Sequence, residues 1–281
     1  MQFRRPLVSA ALMSSLAVVL VGCTGEAPPD SVESHEMIAT TNGLSSINGL
    51  GTSNGLATSN GLGTSNGLGT SNGLATSNGL ATSNGLATSN GFMTTSGGRA
   101  TVAYLVRCAL PANASITKQD QNGTSYTFQG ELGLAPQWQT GACGTDCQET
   151  ISACMLAHIN TAGVHIPLWV VAQDASVGWS LNAAYPNQEG SFFGNIFVTG
   201  AHGVPSNTVA AYYCNGIAYN VDVVPGRIGA NQNGAPYKDP FPGSGYCKDT
   251  CTPADKPNQS AGYKACNGWN HVMTVWRQAG N

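Results

Sequence analysis

Charge is what this sequence has least of. Asp, Glu, Lys and Arg make up 9% of its 281 residues, where a globular domain carries about a quarter. Lys and Arg number 11 against 14 Asp and Glu, for a net charge of −3. A phosphate-binding surface needs a basic excess, so this balance argues against nucleic acid as the main partner. The mixed signs also argue against charge-driven disorder of the whole chain. No phosphate loop or dinucleotide fingerprint occurs, and no cofactor is expected. Aromatics are missing where a core would need them: every Trp and every Tyr lies in residues 99–281. Long apolar runs are missing too. The longest, from Leu7 to Val21, is too short to span a bilayer comfortably.

That run has the layout of an export signal. Arg4 and Arg5 precede it, small Ser and Ala residues interrupt it, and it ends in Leu20-Val21-Gly22-Cys23. Charge, apolar core, small residue and cysteine in this order resemble the lipobox of bacterial lipoproteins. The resemblance implies removal of residues 1–22 and lipidation of Cys23, now the first residue. Several acyl chains on one cysteine anchor stably where one alone would not. Thr24, where an Asp favours inner-membrane retention, implies an outer-membrane destination.

Residues 23–41 carry Pro28, Pro29, Glu26, Asp30, Glu33 and Glu36 and read as a solvated acidic linker. From Met37 to Gly98 there is no charged residue at all, and Thr-Ser-Asn-Gly-Leu-Ala/Gly recurs every six residues. The apolar position falls at Leu44, Leu50, Leu56, Leu62, Leu68, Leu74, Leu80, Leu86 and Phe92. One Leu in six offers little burial to offset backbone ordering of about 1–2 kcal/mol per residue, so residues 42–98 read as a flexible spacer. A random coil over residues 24–98 would span roughly 45–50 Å. The competing reading stacks three hexads per coil as a β-solenoid with Leu inward and Asn-Gly at the corners.

Residues 99–281 form the expected globular domain. Val102, Leu105, Val106 and Ala109 follow helical spacing up to Pro111. Asp146 and Glu149 have capping-box spacing, ahead of a helical face of Ile151, Cys154, Met155 and Ile159 with Gly163 as C-cap. Strands are expected from Tyr126 through Phe128 and Leu132 to Leu134, over Ile166–Ala172, and over Val272, Thr274 and Trp276. Val209–Cys214 and Ile217–Val223 flank Asn215-Gly216, a hairpin signal. Residues 225–268 read as long loops. The sum is a disulfide-rich α+β domain, a mainly antiparallel sheet with about two helices behind a low-complexity hexapeptide tether.

This domain holds Cys108, Cys143, Cys147, Cys154, Cys214, Cys247, Cys251 and Cys266. In an exported chain an even count implies disulfides. Cys108 with Cys154 is expected to join the two helices, with another bridge within Cys247, Cys251 and Cys266. The same residues with His271 have a Cys3His spacing, but an oxidising compartment disfavours zinc. Asp239, Asp249 and Asp255 form no known calcium loop.

Two kinds of chemistry are open. The order Gln139, Cys147, His271 resembles papain-like cysteine peptidases. The resemblance implies Gln139 as oxyanion donor, Cys147 as nucleophile at a helix start and His271 as base. Asp174, Glu189 and Asp222 stand in or beside segments bearing Trp179, Tyr185, Phe192, Phe193 and Tyr219, which suits a carboxylate glycan hydrolase. His158 and His165 read as structural or exposed, and His202, between Gly residues of a loop, as a loop histidine. Full pairing of eight cysteines leaves no thiol, and no convincing catalytic set emerges. The preferred reading is therefore a non-catalytic module, displayed from a lipid anchor, that binds a glycan or a protein. A secreted-side hydrolase is the alternative.

Overall fold

The computed structural model describes residues 33–34, 80, 92–160, 167–204, 209–216, 228, 230–232, 235–238, 242–254 and 261–278. The chain divides into two units, Met1–Ser31 and Val32–Asn281. The signal segment, Cys23 and most of the repeat lie outside the described residues.

The second unit is a disulfide-rich α+β fold. Its strands are β1 (Glu33–Ser34), β2 (Ser115–Gln119), β3 (Ser125–Gln129), β4 (Leu168–Ala172), β5 (Asn187–Thr199), β6 (Val209–Asn215), β7 (Ala230–Gln232), β8 (Ala235–Lys238), β9 (Gly243–Tyr246), β10 (Cys251–Pro253), β11 (Tyr263–Cys266) and β12 (Val272–Arg277). Its helices include α1 (Ser96–Ala109), α2 (Thr145–Ala157) and the single turn α3 (Cys247–Thr250). The main sheet runs β1-β4-β12-β5-β6-β9 and is antiparallel except for β6 with β9. Three small two-stranded sheets, β2-β3, β7-β8 and β10-β11, lie apart from it.

Both faces of the main sheet are covered. Met273 and Val275 of β12, Leu168 and Val170 of β4 and Phe192 of β5 join α1 and α2 in one core cluster. The alternate residues Trp169, Val171 and Trp276 pack on the other face with Tyr185. This is the period of two expected of a strand, with each side buried rather than one. It explains why β5 escapes a search for polar alternation. Gly194 also breaks its pattern. Its φ of +132° is rarely adopted by an L side chain, and a Cβ there would stand 2.3 Å from the Ala210 carbonyl oxygen, so only glycine lets β6 approach.

α1 is capped by the Thr95 hydroxyl, which accepts from Gly98 N–H at 3.0 Å. Its last carbonyls would be orphans. They accept instead from residues 131–135: Leu132 N–H to Arg107, Leu134 to Cys108 and Ala135 to Ala109, at 2.8–3.0 Å. Leu132 and Leu134 therefore enter the core from an irregular segment, because β3 stops at Gln129. The strand expected through Leu134 is shorter than its alternation suggested.

Other elements also differ from the sequence reading. The capping box fails: Gly144 is the N-cap of α2 and has no side chain to cap with, and Asp146 sits inside the first turn. α2 ends at Ala157 with His158 as C-cap, and Gly163 lies outside the described residues. β6 forms as expected, but β5 and β9 flank it, and Ile217–Val223 lie outside the described residues. Residues 225–268 are not simply loops, since β7 to β11 and α3 fall there. α1 begins three residues before Arg99, and Leu80, Phe92 and Met93, N-terminal to that expected boundary, are buried in the main core.

All eight domain cysteines pair. The bridges are Cys108–Cys154, Cys143–Cys147, Cys214–Cys247 and Cys251–Cys266. The first joins α1 to α2, as expected. The last two staple the β9–β11 region beneath β6, where Cys214, Cys247 and Cys266 are buried beside Phe193 and Trp269. Among the described residues no helix is long and apolar enough to cross a membrane.

Candidate functional site

α2 is bound to β5 by a buried polar network. Gln148 Nε2 donates to the Cys143 carbonyl at 2.9 Å and its Oε1 accepts from Asn195 Nδ2 at 3.0 Å. The Ser152 hydroxyl donates to the Gln148 carbonyl and accepts from Ile196 N–H. Buried polar groups satisfied this way fix the helix in one position. They leave Asp146, Glu149, Thr150 and Ala153, at i, i+3, i+4 and i+7, on another face.

That face looks toward the place where β4 ends and β12 begins. A cleft of about 440 Å³ opens there, lined by Thr150, Asp174, Lys264, Asn270 and His271 among others. His271 is held by two groups of α2. The Thr150 hydroxyl donates to the Asp146 carbonyl at 2.8 Å. With its one proton committed, the Thr150 oxygen accepts from His271 Nδ1–H at 2.9 Å. His271 Nε2 then faces the Asp146 carboxylate at 3.6 Å. Fixing one ring nitrogen sets what the other presents.

A second acid–histidine pair stands beside the first. His202, at φ +49°, packs tilted against Trp269 with ring centroids 4.0 Å apart. Its Nε2 lies 3.8 Å from Glu149 Oε1. A left-handed non-glycine residue held by its surroundings is a feature that clusters at functional sites. Glu149 is buried. Burial pushes its carboxyl above the usual range, and Asp146 adds to this, while His271 and His202 pull the other way. The folded state therefore holds the Glu149 proton to higher pH than the unfolded chain does. Stability from this group is full below the ordinary carboxyl value and falls as pH rises through the raised one. Glu149→Gln should be more stable than the parent at neutral pH, with the advantage vanishing at acid pH. Urea midpoints measured across that range check this; a constant difference at every pH would refute it.

The candidates read from the sequence scatter. His271 reaches Asp146 in the first turn of α2, the helix start that also holds Cys147. But Cys147 is bonded to Cys143 and offers no thiol, and Gln139 is turned to the Ser115 carbonyl. The Cys3His grouping is broken in the same way: Cys247 is bonded to Cys214 and Cys251 to Cys266. Every cysteine of the clusters Cys108/Cys154/His158 and Cys214/Cys247/Cys251 is likewise a half-cystine. Asp174 lines the cleft and accepts from Ser176 N–H and Oγ–H. Glu189 is ion-paired with Arg277 at 3.6 Å, next to Gly190, which pairs with Val275. Asp174 follows Ala172, which pairs with Met273, so the register puts the two carboxylates at different levels of the sheet. Asp222, His165, Asp239 and Asp255 lie outside the described residues. Asp249 pairs with its neighbour Lys248. His158 caps α2 from its C-terminal end and packs against Tyr104.

Sequence reasoning missed Glu149, Thr150, Lys264 and Trp269 as site residues. The helical spacing of Asp146, Glu149 and Thr150 was the available signal, and it was read as a capping box. No family model, no curated protein and no solved structure matches the chain.

Proposed function

We propose that this chain is an exported, lipid-anchored envelope protein whose disulfide-stapled domain binds a polar ligand, a glycan or peptide segment, in the His271–Asp174 cleft. One observation carries the reading. The cleft gathers an ammonium, an imidazole, a carboxylate, two amides and a hydroxyl around about 440 Å³, while among the described residues neither the Cys147 thiol nor the Thr150 hydroxyl is available as a nucleophile. Cys147 is oxidised, and the Thr150 proton is held by a backbone carbonyl. Few, convergent polar groups in a concavity select a ligand's orientation. The lipobox residues ending in Cys23 support the anchor.

The test uses the full chain on arrays of soluble oligosaccharides and short peptides. Any hit is followed by calorimetry with His271→Ala and Asp174→Asn. Binding weakened tenfold or more in both variants, with unchanged melting and an intact probe, is the expected result. Turnover of a probe would replace binding by the hydrolase alternative. Incorporation of a labelled fatty acid that Cys23→Ser abolishes is expected in the producing cell.

A further inference from the structure

Leu80 occupies the apolar position of its hexad, and it is fully buried in the main core. Its N–H donates to the Trp138 carbonyl at 2.7 Å. Trp138 is itself fully buried and packs edge-on against Phe197. Phe92, the ninth apolar position of the repeat, is buried in the same cluster. The domain therefore has a seat for a repeat leucine, beside a fixed endpoint at Phe92.

Nothing local distinguishes Leu80 from its neighbours in the repeat. Thr76-Ser77-Asn78-Gly79-Leu80-Ala81 is identical to the hexads carrying Leu56, Leu74 and Leu86. Both contacts named above, an apolar side chain and a backbone N–H, are ones that any of them offers. No charge lies between Met37 and Gly98 to move with a shift. We propose that the Trp138 seat is a hexad-binding site and that the chain's own repeat occupies it in interchangeable registers six residues apart. The link to Phe92 is twelve residues from Leu80 and eighteen from Leu74. Loop closure varies as roughly the 3/2 power of length, so this shift costs only about 1.8-fold in population. Repeats of the same chain are favoured over those of a second copy by their high effective concentration. The repeat then sets a spacer of adjustable length instead of one fixed reach.

The test compares three full-length variants by urea unfolding under non-reducing conditions. Leu80→Ala alone should shift the unfolding equilibrium only a few-fold, because another hexad takes the seat. Changing all eight repeat leucines to Ala should cost about a hundredfold or more, as for a buried leucine. Restoring Leu74 alone in that background should recover most of the loss. A single Leu80→Ala as damaging as the eightfold change, or no rescue by Leu74, would overturn the proposal. So would an eightfold variant as stable as the parent. Rescue that grows with protein concentration would give the seat to a second copy and overturn the intramolecular form.

Discussion

Replacing Cys108 and Cys154 together by alanine is expected to lower the unfolding free energy by about 4 kcal/mol. The bridge spans a sequence separation of 46, and the constraint a disulfide places on the unfolded chain grows with the logarithm of the loop it closes. Cys143–Cys147 spans a separation of only 4, and its double replacement should cost about 2 kcal/mol on the same scale. The first bridge also ties the C-terminal part of α1 to α2, and both of its sulfurs lie in the main core. Alanine there leaves space that the core must close or leave empty. Urea midpoints of the two double variants, with the remaining bridges oxidised, give the comparison. Equal losses would mean that loop length does not govern stability here.

Arg277→Met should destabilise the domain by about 3–5 kcal/mol. Glu189 has no exposed surface, and Arg277 stands 3.6 Å from its Oε1. Removing the cation takes this partner from a carboxylate buried in the sheet, and weakening the compensation of a buried charge is costly. The cost belongs to the buried charge more than to the pair. Accordingly Glu189→Gln combined with Arg277→Met should recover the greater part of the loss. Guanidinium unfolding of the two singles and the double measures the coupling. A double variant whose loss equals the sum of the singles would show that the two side chains do not act together.

This pair also marks what single-sequence reading could not do. Glu189 was a candidate catalytic carboxylate because it stands next to aromatic residues. The structure makes it a structural group, because β5 and β12 run side by side and bring Arg277 to it across 88 residues of sequence. His271 and Cys147 show the converse. Their order suggested one site, and His271 does reach the start of α2, yet Cys147 turns to Cys143 and Thr150 takes the position against the imidazole. Glu149 was assigned to its own helix terminus and instead faces His202, more than fifty residues on. For Glu189, Glu149 and His271 the residue was visible and its partner was not, because the partner comes from a segment far away in the chain.

Local chemistry determined a good deal by itself. Helical periodicity located α1 and α2, an all-apolar run located β4, alternation located β12, and an even cysteine count in an export context anticipated a fully disulfide-bonded domain. These are short-range properties, set by backbone geometry and by oxidation, and they need no knowledge of the fold. The tertiary structure alone decided the rest. It paired the cysteines, inserted the glycine-broken β5 beside β12 with both faces covered, and drew Leu80 and Phe92 of the repeat into the core. It also assembled the cleft from α2, β11, β12 and the end of β4. Those outcomes depend on contacts between segments far apart in the chain, whose energies arise only once the sheet order brings the segments together.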